Sequence, residues 1–188
     1  FAVWCTYKYL NSGPGGTSGV FVHERHGNNP DLPRFAGWWG HDAQARFQMK
    51  KGFIPMRGAE GWQLSNGQIL PFAVHRASLE LFDAAGMENL RTKSEKLTGY
   101  LEYLIDDVHA GKDVMEMITP RDPQARGCQI SLLVKKDARL LFDKLMEAGI
   151  IVDYREPNVI RVAPTPLYNS FEEVYRFSEI LHECLQAH

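Results

Sequence analysis

The sequence predicts an α/β chain in two parts: closing strands and loops of a larger domain over residues 1–80, then a linking helix and a small α+β domain over residues 81–188. Three observations predict it. The first 80 residues are rich in Gly, Pro, Trp and Phe and carry short apolar runs without helical period. From 87 to 108 apolar residues recur at steps of three and four. Beyond that helix the pattern reads strand, strand, helix, strand, strand, helix, which packs helices on one face of a sheet.

Each element has its own local signal. The apolar run Phe1-Ala2-Val3-Trp4-Cys5 reads as a strand, and Val20-Phe21-Val22-His23 as another short one. Between them lies the Gly-rich loop Ser12-Gly13-Pro14-Gly15-Gly16-Thr17-Ser18-Gly19. Its backbone N–H groups suit an anion nest, but the spacing is not Gly-x-Gly-x-x-Gly, so its first role is conformational. Helical pattern begins at 73–82. The long helix over 87–108 sets Leu90, Leu97, Leu101, Leu104, Ile105 and Val108 on one face, with Glu95, Lys96, Glu102 and Asp106 opposite.

Residues 114–119 and 127–135 read as strands joined by the polar turn 120–126. Asp137 is the expected N-cap of a helix ending at Gly149, with Leu140, Leu141, Leu145 and Met146 inside. Residues 150–154 and 159–162 make a second strand pair around Glu156-Pro157-Asn158. Ser170 with Glu173 forms a capping box opening the last helix, whose Val174, Phe177, Ile180, Leu181 and Leu185 face inward.

Composition excludes several function classes. At 188 residues and 44% hydrophobic content the chain has material for one substantial core or two small ones. A net charge of −2 gives no reason to expect nucleic acid or an anionic membrane as partner. No apolar run approaches the ~20 residues that cross a bilayer, and no signal-peptide pattern is present. Cys5, Cys128 and Cys184 are odd in number and widely spaced, which suits reduced thiols in the cytoplasm. His23 and His26 stand three apart without a third ligand nearby, so they read as solvated loop residues and no metal site is expected.

A few residues carry chemistry. Lys8 stands at the mouth of the first strand, walled by Trp4, Tyr7 and Tyr9. Desolvation there favours a free amine able to form a Schiff base; a solvated, inert lysine is the alternative. Strand alternation sends Tyr7 and Lys8 to opposite faces, so they share a site only if the chain bends, which the following glycines allow. Gly37-Trp38-Trp39-Gly40-His41 makes a poor helix or strand and a good mobile contact loop, with Trp39 read as core packing. His41 is either a site residue or a satisfied surface or cap histidine. Arg161, between Ile160 and Val162, needs a partner: a substrate carboxylate gripped by its planar fork, or a salt bridge to Glu156 or Asp153.

Four stretches carry a resemblance in the same order. They are Trp4-Cys5-Thr6-Tyr7-Lys8-Tyr9-Leu10-Asn11 with its Gly-rich turn, Gly37-Trp38-Trp39-Gly40-His41, Gln63-Leu64-Ser65-Asn66, and Ile160-Arg161-Val162-Ala163-Pro164-Thr165-Pro166-Leu167-Tyr168-Asn169-Ser170-Phe171. Together with Leu97-Thr98-Gly99-Tyr100-Leu101-Glu102-Tyr103-Leu104, they resemble the kynureninase family of fold-type I pyridoxal 5'-phosphate (PLP) enzymes along essentially the whole chain. The resemblance implies an aspartate aminotransferase-like large domain, of which residues 1–80 are the C-terminal part, followed by a small C-terminal domain.

It also implies a function: hydrolysis of the Cβ–Cγ bond of L-kynurenine or 3-hydroxy-L-kynurenine to the anthranilate and L-alanine, in tryptophan catabolism and NAD biosynthesis. By resemblance Lys8 and Tyr7 are catalytic, and Lys8, Tyr7, Trp38 and Asn66 contact the cofactor. Arg161, His41, Ser65 and Asn66 line the substrate pocket. The implied assembly is a homodimer with shared active sites, Trp38 and Asn66 reaching across. The implied lysine position lies past the middle of the large domain, so the chain is expected to be incomplete, in keeping with its start on Phe1. The missing N-terminal portion is expected to carry the carboxylate for the pyridine nitrogen, the stacked aromatic ring and much of the phosphate cup. Alternatives are another fold-type I enzyme such as a cysteine desulfurase, which needs a cysteine in a mobile loop, or an inactive C-terminal interaction module.

Overall fold

Trp4 and Val20 sit on two short strands that pair. In the computed structural model, which describes residues 1–108 and 113–186, β1 (Ala2–Cys5) and β2 (Ser18–Phe21) run antiparallel, with Ala2 opposite Phe21 and Cys5 opposite Ser18. A single helical turn, α1 (Glu24–Gly27), follows; the His23 side chain caps it by accepting the Arg25 N–H at 3.2 Å. Irregular chain with 3-10 turns at Arg46–Gln48 and Gly58–Trp62 leads to α2 (Ile69–Ala85). This helix starts earlier than the sequence suggested. Pro71 falls in its first turn, where a missing N–H costs nothing, and the Gln68 carbonyl accepts the Phe72 N–H at 3.0 Å.

The chain divides into two units, Phe1–Leu81 and Phe82–His188. In the first, Val22 is the one buried large apolar side chain among the described residues, while Val3, Phe21, Phe35, Ile69 and Leu70 lie exposed. Paired strands with both faces in solvent are a poor free-standing structure.

The second unit has a core of its own. It runs α3 (Met87–Val108), β3 (Met115–Met117), β4 (Ile130–Val134), α4 (Ala138–Glu147), β5 (Asp153–Arg155), β6 (Val159–Val162) and α5 (Phe171–Gln186). The four strands form an antiparallel sheet in the order β3-β4-β6-β5. Alternation sends Ile130, Leu132 and Val134 of β4 and Ile160 and Val162 of β6 into the core. There they meet Leu97, Leu101 and Ile105 of α3, Leu141 and Leu145 of α4, and Val174, Phe177 and Leu181 of α5. Ser131 and Arg161, one residue out of phase, belong to the other face, opposite each other in register.

Capping follows the sequence at one helix and departs from it at another. Ser170 Oγ accepts the Glu173 N–H at 3.2 Å and Glu173 Oε2 accepts the Ser170 N–H at 2.7 Å, the reciprocal box expected for α5. Asp137 instead adopts a left-handed conformation (φ 52°) and makes no side-chain cap. Its backbone carbonyl receives the Leu141 N–H at 3.0 Å. On α4, Leu141 and Leu145 are buried, but Leu140 and Met146 face solvent. Three strands are also shorter than read. The apolar stretch 150–152 is not strand: the Ile150 N–H closes the helix end on Leu145 at 2.9 Å, and Ile151 is 89% exposed.

Candidate active site

Thr6 governs the shape of the segment around Lys8. It is fully buried, and its hydroxyl bonds Ser12 Oγ at 2.7 Å and donates to the Thr17 carbonyl. The Thr6 carbonyl accepts the Ser12 N–H at 3.1 Å, and the Lys8 carbonyl accepts the Asn11 N–H at 3.0 Å. β1 therefore ends at Cys5, and residues 6–11 turn back on themselves. Gly13 and Gly15 carry φ values of 79° and 77°, which side chains resist, so the loop can close behind the turn. The bend removes strand alternation and puts neighbouring side chains together: Lys8 Nζ lies 5.7 Å from the Tyr7 ring centroid.

The sequence also suggested that Trp4, Tyr7 and Tyr9 wall the amine off from water. They do not. All three rings are exposed, as is Lys8. Lys8 makes no ion pair among the described residues. Thr6 and Ser12 were missed in the sequence, where two small hydroxyl residues flanking a bend were the available signal.

A second cluster forms where two loops touch through glycines. A Cβ on Gly37 would lie 2.3 Å from Leu64 Cα, and one on Gly40 2.7 Å from the Gln63 carbonyl oxygen. Only glycine lets the 37–41 segment lie this close to the loop that carries Ser65 and Asn66. Far from being loose, the segment is pinned. Arg46 Nη2 donates to the carbonyls of Trp39 (2.7 Å) and His41 (3.0 Å), and its guanidinium lies 4.3 Å from the Trp39 ring centroid. Trp39 is thus half-buried under a cation rather than packed in a core.

His41 Nδ1 accepts the Ile54 N–H at 2.9 Å, and its ring leans on Phe53 at 5.5 Å. That bond fixes the tautomer, leaving Nε2–H as a donor. Trp38 is exposed, edge-to-face with Phe47 at 5.6 Å, and its indole N–H has no hydrogen-bond partner among the described residues. Ser65 and Asn66 are exposed in the loop before α2. No hydrogen bond or ring contact among the described residues joins Tyr7 or Lys8 to Trp38, His41, Ser65 or Asn66.

Arg161 belongs to the second unit, on the face of the sheet opposite the helices. Its Nε and Nη2 both meet Asp153 Oδ2, and Arg155 Nε donates to the same oxygen at 2.9 Å. Asp153 stands directly opposite Arg161 in the β5–β6 register, so the pair is built by the sheet. Glu156, the other partner considered, bonds Tyr154 instead.

Cys128 needs correcting too: β4 starts at Ile130, so this cysteine lies in the connection before the strand, not within it. It is half-buried, and burial pushes its thiol up, which disfavours a nucleophilic thiolate. His23 and His26 are a cap and a ring stacked on Phe1 at 5.0 Å, and the described residues hold no cluster suited to a metal ion.

The family described as "Kynureninase C-terminal domain" matches residues 90–181. The kynureninase of Myxococcus xanthus (strain DK1622) is 59% identical over 181 residues, covering 96% of this chain and 42% of that protein. That of Flavobacterium johnsoniae is 52% identical over 182 residues, covering 96% and 43%. The chain thus spans about two fifths of the length of these curated relatives. Among solved structures, the apo cysteine desulfurase from Thermococcus onnurineus NA1 superposes with a TM-score of 0.66 at 16% identity, covering 94% of this chain and 45% of that one. A C-DES mutant with glycine covalently linked to its PLP cofactor gives 0.60 at 17% identity, covering 80% and 38%. Likeness at that level is one of fold, and the fold is the mixed helix and sheet of fold-type I PLP enzymes. By sequence, residues 90–181 match the kynureninase C-terminal domain, and the chain as a whole is similar to about two fifths of each of these kynureninases.

Proposed function

We propose that this chain is part of a PLP-dependent hydrolase that cleaves L-kynurenine or 3-hydroxy-L-kynurenine to the anthranilate and L-alanine. One observation carries the reading: identity of 59% and 52% to proteins named kynureninase over 96% of the chain. The likeness to cysteine desulfurases is far more distant, and the half-buried cysteines here give that chemistry no exposed nucleophile. Residues 1–80 serve as the C-terminal part of the cofactor-binding domain and residues 81–188 as the small domain.

The residues present fit PLP. Lys8 offers an exposed amine without an ion-pair partner, with a phenol beside it. Trp38 and Asn66 add an indole N–H and a carboxamide, donors that suit an anionic ligand. When bound, PLP supplies an electron sink for the substrate's α-carbon. Lys8 would hold the cofactor through its amine and would move the proton at the substrate's α-carbon. Arg161 grips the substrate α-carboxylate and so fixes the substrate's orientation. Water adds to the γ-carbonyl, the Cβ–Cγ bond of that tetrahedral centre breaks, and the Tyr7 phenol protonates the β-carbon. Ser65, Asn66 and His41, the last through its Nε2–H, line the pocket for the aromatic ring.

Trp38 and Asn66 act across a two-fold dimer on the neighbour's cofactor phosphate, which suits their exposure. The remainder of the length that the relatives possess supplies the rest of the cofactor site and covers the apolar strands of the first unit. Three free cysteines suit the cytoplasm, and no helix among the described residues is long and apolar enough to cross a membrane. The test is to incubate the complete PLP-loaded protein with L-kynurenine, its 3-hydroxy form and L-cysteine. Equimolar anthranilate and alanine are expected. Sulfur release from cysteine with no kynurenine cleavage would overturn the reading.

A further inference from the structure

Arg161 is held by one edge. Its Nε and Nη2, the pair along the side of the guanidinium, converge on Asp153 Oδ2, while no contact among the described residues engages Nη1. A guanidinium has two edges that can grip a carboxylate: the side edge, Nε with Nη2, and the end edge, Nη1 with Nη2. Asp153 occupies the first and leaves the second. Its place is set by the sheet, because residues directly opposite on antiparallel strands have side chains on the same face. Arg155 Nε donates to the same Oδ2 at 2.9 Å and so helps to hold the carboxylate.

We propose that Asp153 is a positioning residue: it clamps the side edge of Arg161 so that the end edge is presented as a fork to the substrate carboxylate. The inference rests on the reading of Arg161 as the carboxylate anchor. Asp153 touches no reacting atom in this scheme. It reduces the freedom of a long, flexible side chain before substrate arrives, so less ordering is left to occur on binding. The rival arrangement is a competitor, in which Asp153 must be expelled before a ligand carboxylate can enter. The two differ in sign: loss of a clamp weakens carboxylate binding, and loss of a competitor strengthens it.

The test uses the complete PLP-loaded protein and titrates L-alanine and L-alaninamide by calorimetry, beside KM and kcat for L-kynurenine. Asp153→Ala is expected to weaken L-alanine binding by about tenfold to hundredfold. KM should rise by a similar factor, with alaninamide affinity and PLP content unchanged. Asp153→Asn keeps an acceptor for Arg161 but not the charge, so it should fall between. Asp153 is partly exposed on the edge strand β5, and a melting curve within a few degrees of wild type verifies folding. Unchanged or tighter L-alanine binding in Asp153→Ala overturns the clamp. Arg161→Ala separates this from the underlying reading: if it too leaves the alanine-to-alaninamide preference intact, Arg161 is not the anchor.

Discussion

Gly37→Ala should impair activity through geometry alone. The added Cβ would meet Leu64 Cα at 2.3 Å, the Gln63 carbonyl oxygen at 2.4 Å and the Leu64 carbonyl oxygen at 2.7 Å. Ordinary contact begins at 3.4 Å, so the two loops must part by about 1.1 Å. All three obstacles are backbone, and no rotamer change relieves them. The shift separates Trp38 and His41 from Ser65 and Asn66, the groups proposed above to act on one ligand set. A displacement near 1 Å costs on the order of 100-fold in rate, and overpacking adds about 1–3 kcal/mol of destabilisation. Gly99→Ala is the control. It lies exposed inside α3 with nothing within 4 Å of its Cβ position, so it should stabilise by about 0.5–1 kcal/mol and leave catalysis alone. The assay is kcat/KM for L-kynurenine with PLP content and a melting curve for each variant. Wild-type kcat/KM in Gly37→Ala would refute the argument that these two loops build one site.

Other perturbations test other links. Arg161→Lys keeps the charge but loses the planar fork, so KM should rise by the equivalent of about 2–5 kcal/mol while PLP content holds; loss of PLP instead would make Arg161 structural. The Ser170 backbone N–H, then the Asn169 carboxamide and the Ser170 hydroxyl, hold the Glu173 carboxyl below its ordinary value of 4.5. A depressed folded value means the stabilisation is complete above about pH 4.5 and fades as pH falls through the folded value. Melting curves of wild type and Glu173→Gln should therefore differ near neutrality and converge in acid; a gap that widens in acid contradicts this sign. Leu145→Ala, at a fully buried position in the core that α4 shares with α5 and the sheet, should cost about 2–5 kcal/mol in denaturant unfolding, and a cost under 1 kcal/mol would place the core elsewhere.

What the sequence disclosed follows the physics of each element. The apolar face of α3 and the Ser170–Glu173 box were legible because both are local: side-chain spacing and one short motif decide them. The edges of β4 and β5 were not. Residues 150–152 look like strand, yet the helix-closing bond from Ile150 to Leu145 takes them out of the ladder, an outcome settled by tertiary context. At the candidate site, the sequence supplied candidate residues but not their geometry. Tyr7 and Lys8 needed a bend to meet, and that bend depends on the buried hydroxyl of Thr6 reaching Ser12 and Thr17. The pairing of Asp153 with Arg161 was one of two options in the sequence, and only strand register chose between them. Desolvation of Lys8 misled because it was inferred from neighbouring rings, whose burial depends on what packs over them.

The measurement that reaches the central claim most directly is chemical trapping of the cofactor link. Borohydride reduction of the complete PLP-loaded protein, followed by proteolysis and peptide mass mapping, reads which lysine carries the pyridoxyl phosphate. The account predicts a single modified peptide with the added mass on Lys8. It also predicts that Lys8→Ala loses both the modified peptide and L-kynurenine cleavage, while its melting temperature stays close to wild type because Lys8 is exposed and makes no ion pair among the described residues. Mass on another lysine, or undiminished cleavage by Lys8→Ala, would contradict it.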